Sequence, residues 1–304
     1  MKSIGRRSTI TAMLTLATAL ALIGCATAES LDGGGSATGE TIVIGSQDYY
    51  SNEIIAEIYA QALESAGYPV ERAFRIGQRE VYVKEIEDGG IDLFPEYTGP
   101  LLQYWEPETP RRLTDEVYEA LVAAAPDGLR ILDQSSAMDQ DAYVVTRAFA
   151  DQNELTTIAD LAKVTEPLTL GGNSEGESRP NGPIGLKDKY GIDVGFTPIE
   201  DGGGPLTVKA LQDGSIQLAI IYTADPSIKQ NDLVALEDTE GLFLASHVVP
   251  VASSKIGDEA ERILDEISAA LTPEGLIALN AQSVEDQLNP AAIATTWLEA
   301  NPID

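Results

Sequence analysis

From Thr41 onward, short apolar runs alternate with helical stripes. Thr41-Ile42-Val43-Ile44-Gly45 reads as a strand feeding the loop Ser46-Gln47-Asp48-Tyr49-Tyr50. A helix follows, with Ser51 or Asn52 as its expected N-cap, Ile54, Ile55, Ile58, Ala62 and Leu63 on its apolar face, and Gly67 closing it. Pro69 to Ile76 carries a second strand and Val81 to Asp88 a helix. Ile91 to Phe94 is a third strand that stops at Glu96-Tyr97. Thr114 caps a helix over Asp115–Ala125, and Leu129–Leu132 is again strand-like. Strands alternating with helices of this length predict an α/β chain with a parallel sheet covered on both faces. Ala142–Thr146 reads as a strand leaving this first unit, and Thr157 to Ala162 and Leu168–Leu170 as the start of a second one. Phe243 to Val251, around His247 and Pro250, reads as a return crossing. The last fifty or so residues are helical in pattern and are expected to pack back on the first unit.

Two segments 125 positions apart repeat without a gap. Val83-Lys84-Glu85-Ile86-Glu87-Asp88-Gly89-Gly90-Ile91-Asp92-Leu93-Phe94-Pro95-Glu96-Tyr97-Thr98 aligns with Val208-Lys209-Ala210-Leu211-Gln212-Asp213-Gly214-Ser215-Ile216-Gln217-Leu218-Ala219-Ile220-Ile221-Tyr222-Thr223. Each copy is a helix end, a glycine C-cap, a short apolar strand and a terminal Tyr-Thr. Helix–Asp-Gly–strand punctuation is common in α/β chains, and that alone is the plain reading. In open α/β sheets, however, ligands sit beyond the carboxyl ends of the strands. The repeat therefore predicts two similar lobes, each offering a tyrosine to one cleft.

The N-terminus is expected to be a targeting segment. Lys2, Arg6 and Arg7 precede an uncharged, mostly apolar stretch from Thr9 to Ile23, which ends in Leu22-Ile23-Gly24-Cys25. Cys25 is the sole cysteine of the 304 residues, so no disulfide framework exists. The segment resembles a bacterial lipobox, which implies removal of residues 1–24, lipidation of Cys25 and a flexible tether over 25–40. Cleavage would leave 16 of the 19 basic side chains against 49 acidic ones. A surface this acidic repels nucleic acid and anionic lipid, suits a salty habitat, and favours cationic ligands.

Catalysis has little to stand on. His247 is the chain's one histidine, which removes most general-base, triad and histidine-ligated metal schemes. Asp201-Gly202-Gly203-Gly204 lacks the lysine and serine of a phosphate loop. Carboxylate pairs such as Asp139/Asp141 or Glu175/Glu177 are weak evidence in so acidic a chain. No metal and no cofactor is expected. Tyrosine usage says more: 11 tyrosines stand against 5 phenylalanines, with Tyr49, Tyr50, Tyr97 and Tyr222 at predicted strand ends and loops. A tyrosine offers an electron-rich face and a hydroxyl. Two such faces around one point cage a quaternary ammonium, which has no N–H to donate.

Gly45-Ser46, the Glu57-Ile58-Tyr59-Ala60-Gln61-Ala62-Leu63-Glu64 stretch, Ile91-Asp92-Leu93 with Pro95-Glu96-Tyr97-Thr98-Gly99, and Tyr222-Thr223-Ala224-Asp225 together resemble one family. It is that of the substrate-binding lipoproteins of ABC importers for glycine betaine, choline and carnitine, the osmoprotectant importers. The resemblance runs from about Thr41 to the C-terminus. It implies the α/β, two-lobe periplasmic-binding-protein fold, type II-like, with two crossover hinge strands. Lobe 1 would take 41–143 and 249–304, and lobe 2 would take 144–248. It also implies Tyr97 and Tyr222 as cage walls, with Thr98 and Thr223 beside them. Gln47, Asp48 and Tyr49 match the first binding loop, and Tyr143 an aromatic position seen in some members. Arg179 matches the arginine of a Glu-Phe-x-x-Arg-x-Asp-Gly segment, where this chain has Gly176 for the Phe and Asn181 for the Asp. A choline-like cation would use Asp48, and a betaine would use Arg179 or hydroxyls. The implied protein is no enzyme. It is a monomeric extracytoplasmic receptor, anchored to the membrane by lipid on Cys25, that passes its ligand to a permease with its ATPase. Two rivals are a binding protein for another solute, such as an amino acid, and a secreted lipoprotein enzyme on the same fold.

Overall fold

The computed structural model describes residues 39–303. The expected signal segment 1–24, Cys25 and the tether up to residue 38 lie outside the described residues. β1 (Ile42–Gly45) leads through α1 (Tyr50–Ser65), β2 (Val70–Ala73), α2 (Arg79–Glu87), β3 (Leu93–Tyr97), α3 (Thr98–Trp105) and α4 (Thr114–Ala124) to β4 (Leu129–Ile131). Then come β5 (Asp141–Thr146), α5 (Arg147–Asn153), β6 (Leu168–Gly172), α6 (Pro183–Tyr190), β7 (Val194–Pro198), α7 (Pro205–Gln212), β8 (Leu218–Tyr222), α8 (Ser227–Gln230) and β9 (Leu233–Ala235). β10 (Val248–Ser253) and the helices α9 (Asp258–Ala270), α10 (Pro273–Val284) and α11 (Pro290–Ala300) complete the chain.

These strands form two five-stranded sheets with matching plans, β2-β1-β3-β10-β4 and β7-β6-β8-β5-β9. In each, three strands run parallel and a strand arriving from the other lobe pairs antiparallel with the middle one. The sheets are therefore mixed rather than purely parallel. A chain that leaves one lobe at the cleft enters the other from its cleft end, so its first strand there runs against the local βαβ units. The repeat maps onto equivalent places: α2–β3 in one sheet and α7–β8 in the other. The register is equivalent too. Tyr97 pairs with Val248, the first residue of β10, and Tyr222 with Asp141, the first residue of β5.

Alternation along the strands builds a core on each face. In the first sheet, Leu93 and Val248 pack with α1 and α9–α11, while Phe94 and Val249 pack with α2–α4. In the second, Tyr143 and Val145 serve one core, and Ala142 and Val144 the other. Each fully buried Leu or Phe contributes roughly 1.5–3 kcal/mol, so Phe94→Ala would cost about 3–5 kcal/mol. The chain passes between sheets over 132–140 and 236–247, and these two segments meet at an antiparallel bridge between Met138 and His247. β5 lies wholly in the second sheet, so the expected boundary at 143/144 falls inside it. The boundary at 248/249 falls inside β10, after its first residue.

Two local expectations are corrected. Tyr49, not Ser51 or Asn52, holds the N-cap position of α1, with no side-chain cap. Asn52 sits fully buried in the first turn and works across the fold, accepting from Gln47 N at 2.8 Å and donating to Pro95 O at 2.7 Å. α3 starts directly at Thr98 with no loop. Gly99-Pro100 there resembles a breaker in sequence, but proline in a first helical turn gives up no needed hydrogen bond.

Candidate ligand-binding site

The C-terminal ends of β1, β3 and β8 converge on the crossing segments. After Gly45 the chain continues extended, so successive side chains alternate. Gln47 and Tyr49 turn inward, each 8% exposed, and Asp48 turns out. Tyr49 meets Tyr222 of the second sheet with ring centroids 4.8 Å apart at 48°, and Tyr50 at 4.9 Å and 66°. Tyr97 ends β3 at 5% exposure. Tyr49, Tyr97, Tyr222, Asp139, Asp141, Arg179, Arg79 and Gln47 wall one cavity of about 380 Å³ between the sheets.

Asp139, in the first crossing segment, is buried and accepts from Tyr49 Oη at 3.1 Å and from Ala224 N at 2.9 Å. Burial pushes its carboxyl up to about 7, against those two hydrogen bonds and with the help of Asp225 and Asp141. Burial likewise raises Asp141, against the pull of Arg179 and Arg79. It also raises the hydroxyls of Tyr49, Tyr97 and Tyr222, which therefore stay neutral. Asp141 Oδ2 accepts from Asn181 Nδ2 at 2.9 Å. Tyr50, behind Tyr49, donates to Asp225 at 2.9 Å.

Both arginines of the cavity are already paired. Arg79 grips Glu96 through Nε and Nη2 at 2.8 and 3.1 Å. Glu96 is fully buried and also accepts from Tyr82 Oη at 2.5 Å and Tyr97 N at 2.7 Å. This explains the Glu of Glu-Tyr-Thr-Gly: it locks the tyrosine's backbone and α2 together. The glycine of that motif is steric, since a Cβ on Gly99 would lie 2.6 Å from Ala245 O. Arg179 reaches across the cleft to Glu80, Nε to Oε1 at 3.1 Å and Nη2 to Oε2 at 3.0 Å. Neither Asp139 nor Asp141 has an ion-pair partner among the described residues. With the arginines neutralised, the cavity is left acidic, with tyrosine faces for walls. It suits a cation. Two buried polar atoms on its wall, Tyr97 Oη and Gln47 Nε2, have no hydrogen-bond partner among the described residues and can donate to a ligand's oxygen.

Tyr97, Tyr222, Tyr49, Gln47 and Arg179 are thus brought together. Four other expected residues are not. Asp48 faces outward to Arg75, 2.8 Å away at the surface. Thr98 is buried, donating to Ala245 O and accepting from His247 N. Tyr143 is fully buried, stacks edge-on with Phe243, and donates to Asn181 O at 2.6 Å, which fixes the loop carrying Arg179. Thr223 is exposed and holds Gln140 of the crossing segment through Oγ1. His247 contacts Thr114 Oγ1 and Ser135 O through its two ring nitrogens, on a crossing segment and outside the cavity wall. Asp139, Asp141, Arg79 and the Glu96 clamp were not legible as site residues. Nothing local separates them from the chain's many other charges. Only strand register puts Asp141 opposite Tyr222.

The family model for the substrate-binding domain of ABC-type glycine betaine transport systems matches residues 40–300. The glycine betaine-binding protein YehZ of Escherichia coli is 22% identical over 85% of this chain and 90% of its own length. The ergothioneine transport permease/ergothioneine binding protein EgtU of Helicobacter pylori is 25% identical over 85% of this chain, which spans 47% of that longer protein. A crystal structure of a glycine betaine/carnitine/choline ABC transporter protein superposes with a TM-score of 0.69 at 21% identity, covering 86% of this chain and 98% of that one.

Proposed function

The chain belongs to the family of substrate-binding domains of ABC-type glycine betaine transport systems, and from that premise we propose that it captures a quaternary ammonium solute between Tyr49, Tyr97 and Tyr222. Proteins of this family bind small solutes outside the cytoplasm for a membrane permease and are not enzymes. The observation that carries the ligand class is the meeting of Tyr49 and Tyr222 across the cleft at 4.8 Å, over the unpaired carboxylates of Asp139 and Asp141. A trimethylammonium group cannot donate a hydrogen bond and gains roughly 0.5–2 kcal/mol from each ring face. Because the rings come from both lobes, such a ligand favours the closed form over the open one, and the equilibrium shifts by that difference. Tyr97 Oη and Gln47 Nε2 are donors for its carboxylate or hydroxyl tail.

Lipid on Cys25 would tether this monomeric receptor beside its permease and ATPase. Replacing Cys25 with Ser should release the protein from the membrane fraction, and unchanged partition would count against the anchor. Calorimetric titration with choline, glycine betaine and carnitine tests the ligand class. At least one should bind tighter than about 1 mM, which is about −4 kcal/mol. Tyr97→Ala and Tyr222→Ala should each weaken it about tenfold or more; affinity unchanged in both variants would sink the cage. One observation favours an amino acid instead: Asp141 and Arg179 line the same space and could take its two charged ends. Titration with free amino acids separates the two readings.

A further inference from the structure

A second space of about 350 Å³ opens from the tyrosine cavity into the second lobe and shares Asp141, Arg179 and Tyr222 as a common wall. Its remaining lining is Ile220, two asparagines and four glycines. Two of those glycines are demanded by the backbone. Gly202 and Gly203 have φ of +63° and +85°, and a Cβ on Gly203 would lie 3.0 Å from Ile220 O. The other two are not. Gly172 and Gly176 avoid the left-handed region, and a Cβ on either would reach Ile220 or Phe196 at 3.4 Å, an ordinary contact. Their neighbour Gly171 shows the contrast: its Cβ would strike Ile216 at 2.4 Å. Glycine within a strand, as at Gly172, or in an ordered turn sacrifices chain entropy that alanine would keep. Neither dihedral nor packing asks for it at 172 and 176. What the two glycines do produce is room beside Tyr222.

We infer that this room is a tail subsite, and that the preferred ligand is a trimethylammonium betaine bearing a side chain on its α-carbon, a trimethylated amino acid larger than glycine betaine. The inference rests on the quaternary ammonium reading above. The head sits among Tyr49, Tyr97 and Tyr222, and the side chain passes Asp141 into the glycine-floored space. Ile220 and the Tyr222 ring offer that side chain an apolar wall. Asn173 and Asn181 form a polar edge, which favours a flat ring with a hydrogen-bonding rim over a plain alkyl chain. A small solute such as glycine betaine occupies the first cavity alone.

The test is calorimetric titration of the full chain and of its Gly176→Phe and Gly176→Ala variants with N,N,N-trimethyl-L-histidine and with glycine betaine. Wild type should bind trimethylhistidine at least tenfold tighter than glycine betaine. Gly176→Phe should collapse that ratio by tenfold or more, with Gly176→Ala in between. Alanine enters at ordinary contact distance, so it remains informative if the phenylalanine variant fails to fold. A wild-type ratio of one or below, or a ratio unmoved by both substitutions, overturns the tail subsite while leaving the quaternary ammonium reading intact. Binding of neither ligand overturns both.

Discussion

Asp139→Asn isolates one buried carboxyl among the chain's 49 acidic side chains. In the folded chain Asp139 holds its proton up to about pH 7, against an ordinary value of 3.8. Between those values the folded state binds more protons than the unfolded one, so stability falls as pH rises. The contribution is fully present below about pH 4 and lost as pH rises through about 7. Holding one proton over one pH unit is worth about 1.4 kcal/mol, so the window from 3.8 to about 7 totals near 4 kcal/mol. Asparagine is close to isosteric with the protonated acid and can still accept from Ala224 N, while the freely rotating Tyr49 hydroxyl can turn to accept from it. The variant therefore keeps the shape and loses the titration. Urea unfolding of the ligand-free protein at pH 4.5, 6, 7 and 8 reads this directly. The stability of Asp139→Asn relative to wild type should rise by about 4 kcal/mol from pH 4.5 to 8. Profiles that stay parallel within about 1 kcal/mol would refute the reasoning. The same proton couples to binding: a cation beside Asp139 favours its ionised form. Choline affinity should therefore climb between pH 6 and 8 in wild type and stay flat in the variant.

Arg79→Met strands the carboxylate of Glu96, which is fully buried, and should cost about 3–5 kcal/mol in denaturant unfolding. Gly99→Ala drives a Cβ to 2.6 Å from Ala245 O and should cost about 1–3 kcal/mol, seen as a lowered thermal midpoint. Glu80→Gln breaks only a partly exposed ion pair, so stability should change by less than about 1 kcal/mol. It frees Arg179 for a ligand carboxylate, however, and titration should show glycine betaine gaining on choline.

What could be read locally was read from patterns that need no partner. The apolar stripe through Ile54, Ile58 and Leu63, the Asp-Gly caps at 88–89 and 213–214, and the short runs at 42–44 and 218–221 each specify an element by its own period. The repeat then carried the two-lobe plan and placed Tyr97 and Tyr222 at equivalent strand ends, because a duplicated helix–strand unit docks in the same way twice. The errors came where a residue's role depends on something distant in the chain. Asn52 resembles a cap but ties Gln47 to Pro95. Asp48 resembles a cleft carboxylate, but one step of extended backbone turns it to Arg75 and turns Tyr49 inward instead. Tyr143 and Thr98 share letters with binding residues, yet they spend their hydroxyls holding Asn181 and Ala245 in place.

The sequence by itself determined the elements, the duplicated architecture, the family and the chemical character of the walls, since all of these follow from residue type and short spacing. The tertiary structure alone decided which charges the cavity keeps. Glu96 cancels Arg79 from 17 positions away and Glu80 cancels Arg179 from 99 away, while Asp139 and Asp141 are left without an ion-pair partner among the described residues. Charge pairing depends on a few ångströms of distance and on exclusion of water, and both are set by register and lobe packing rather than by composition.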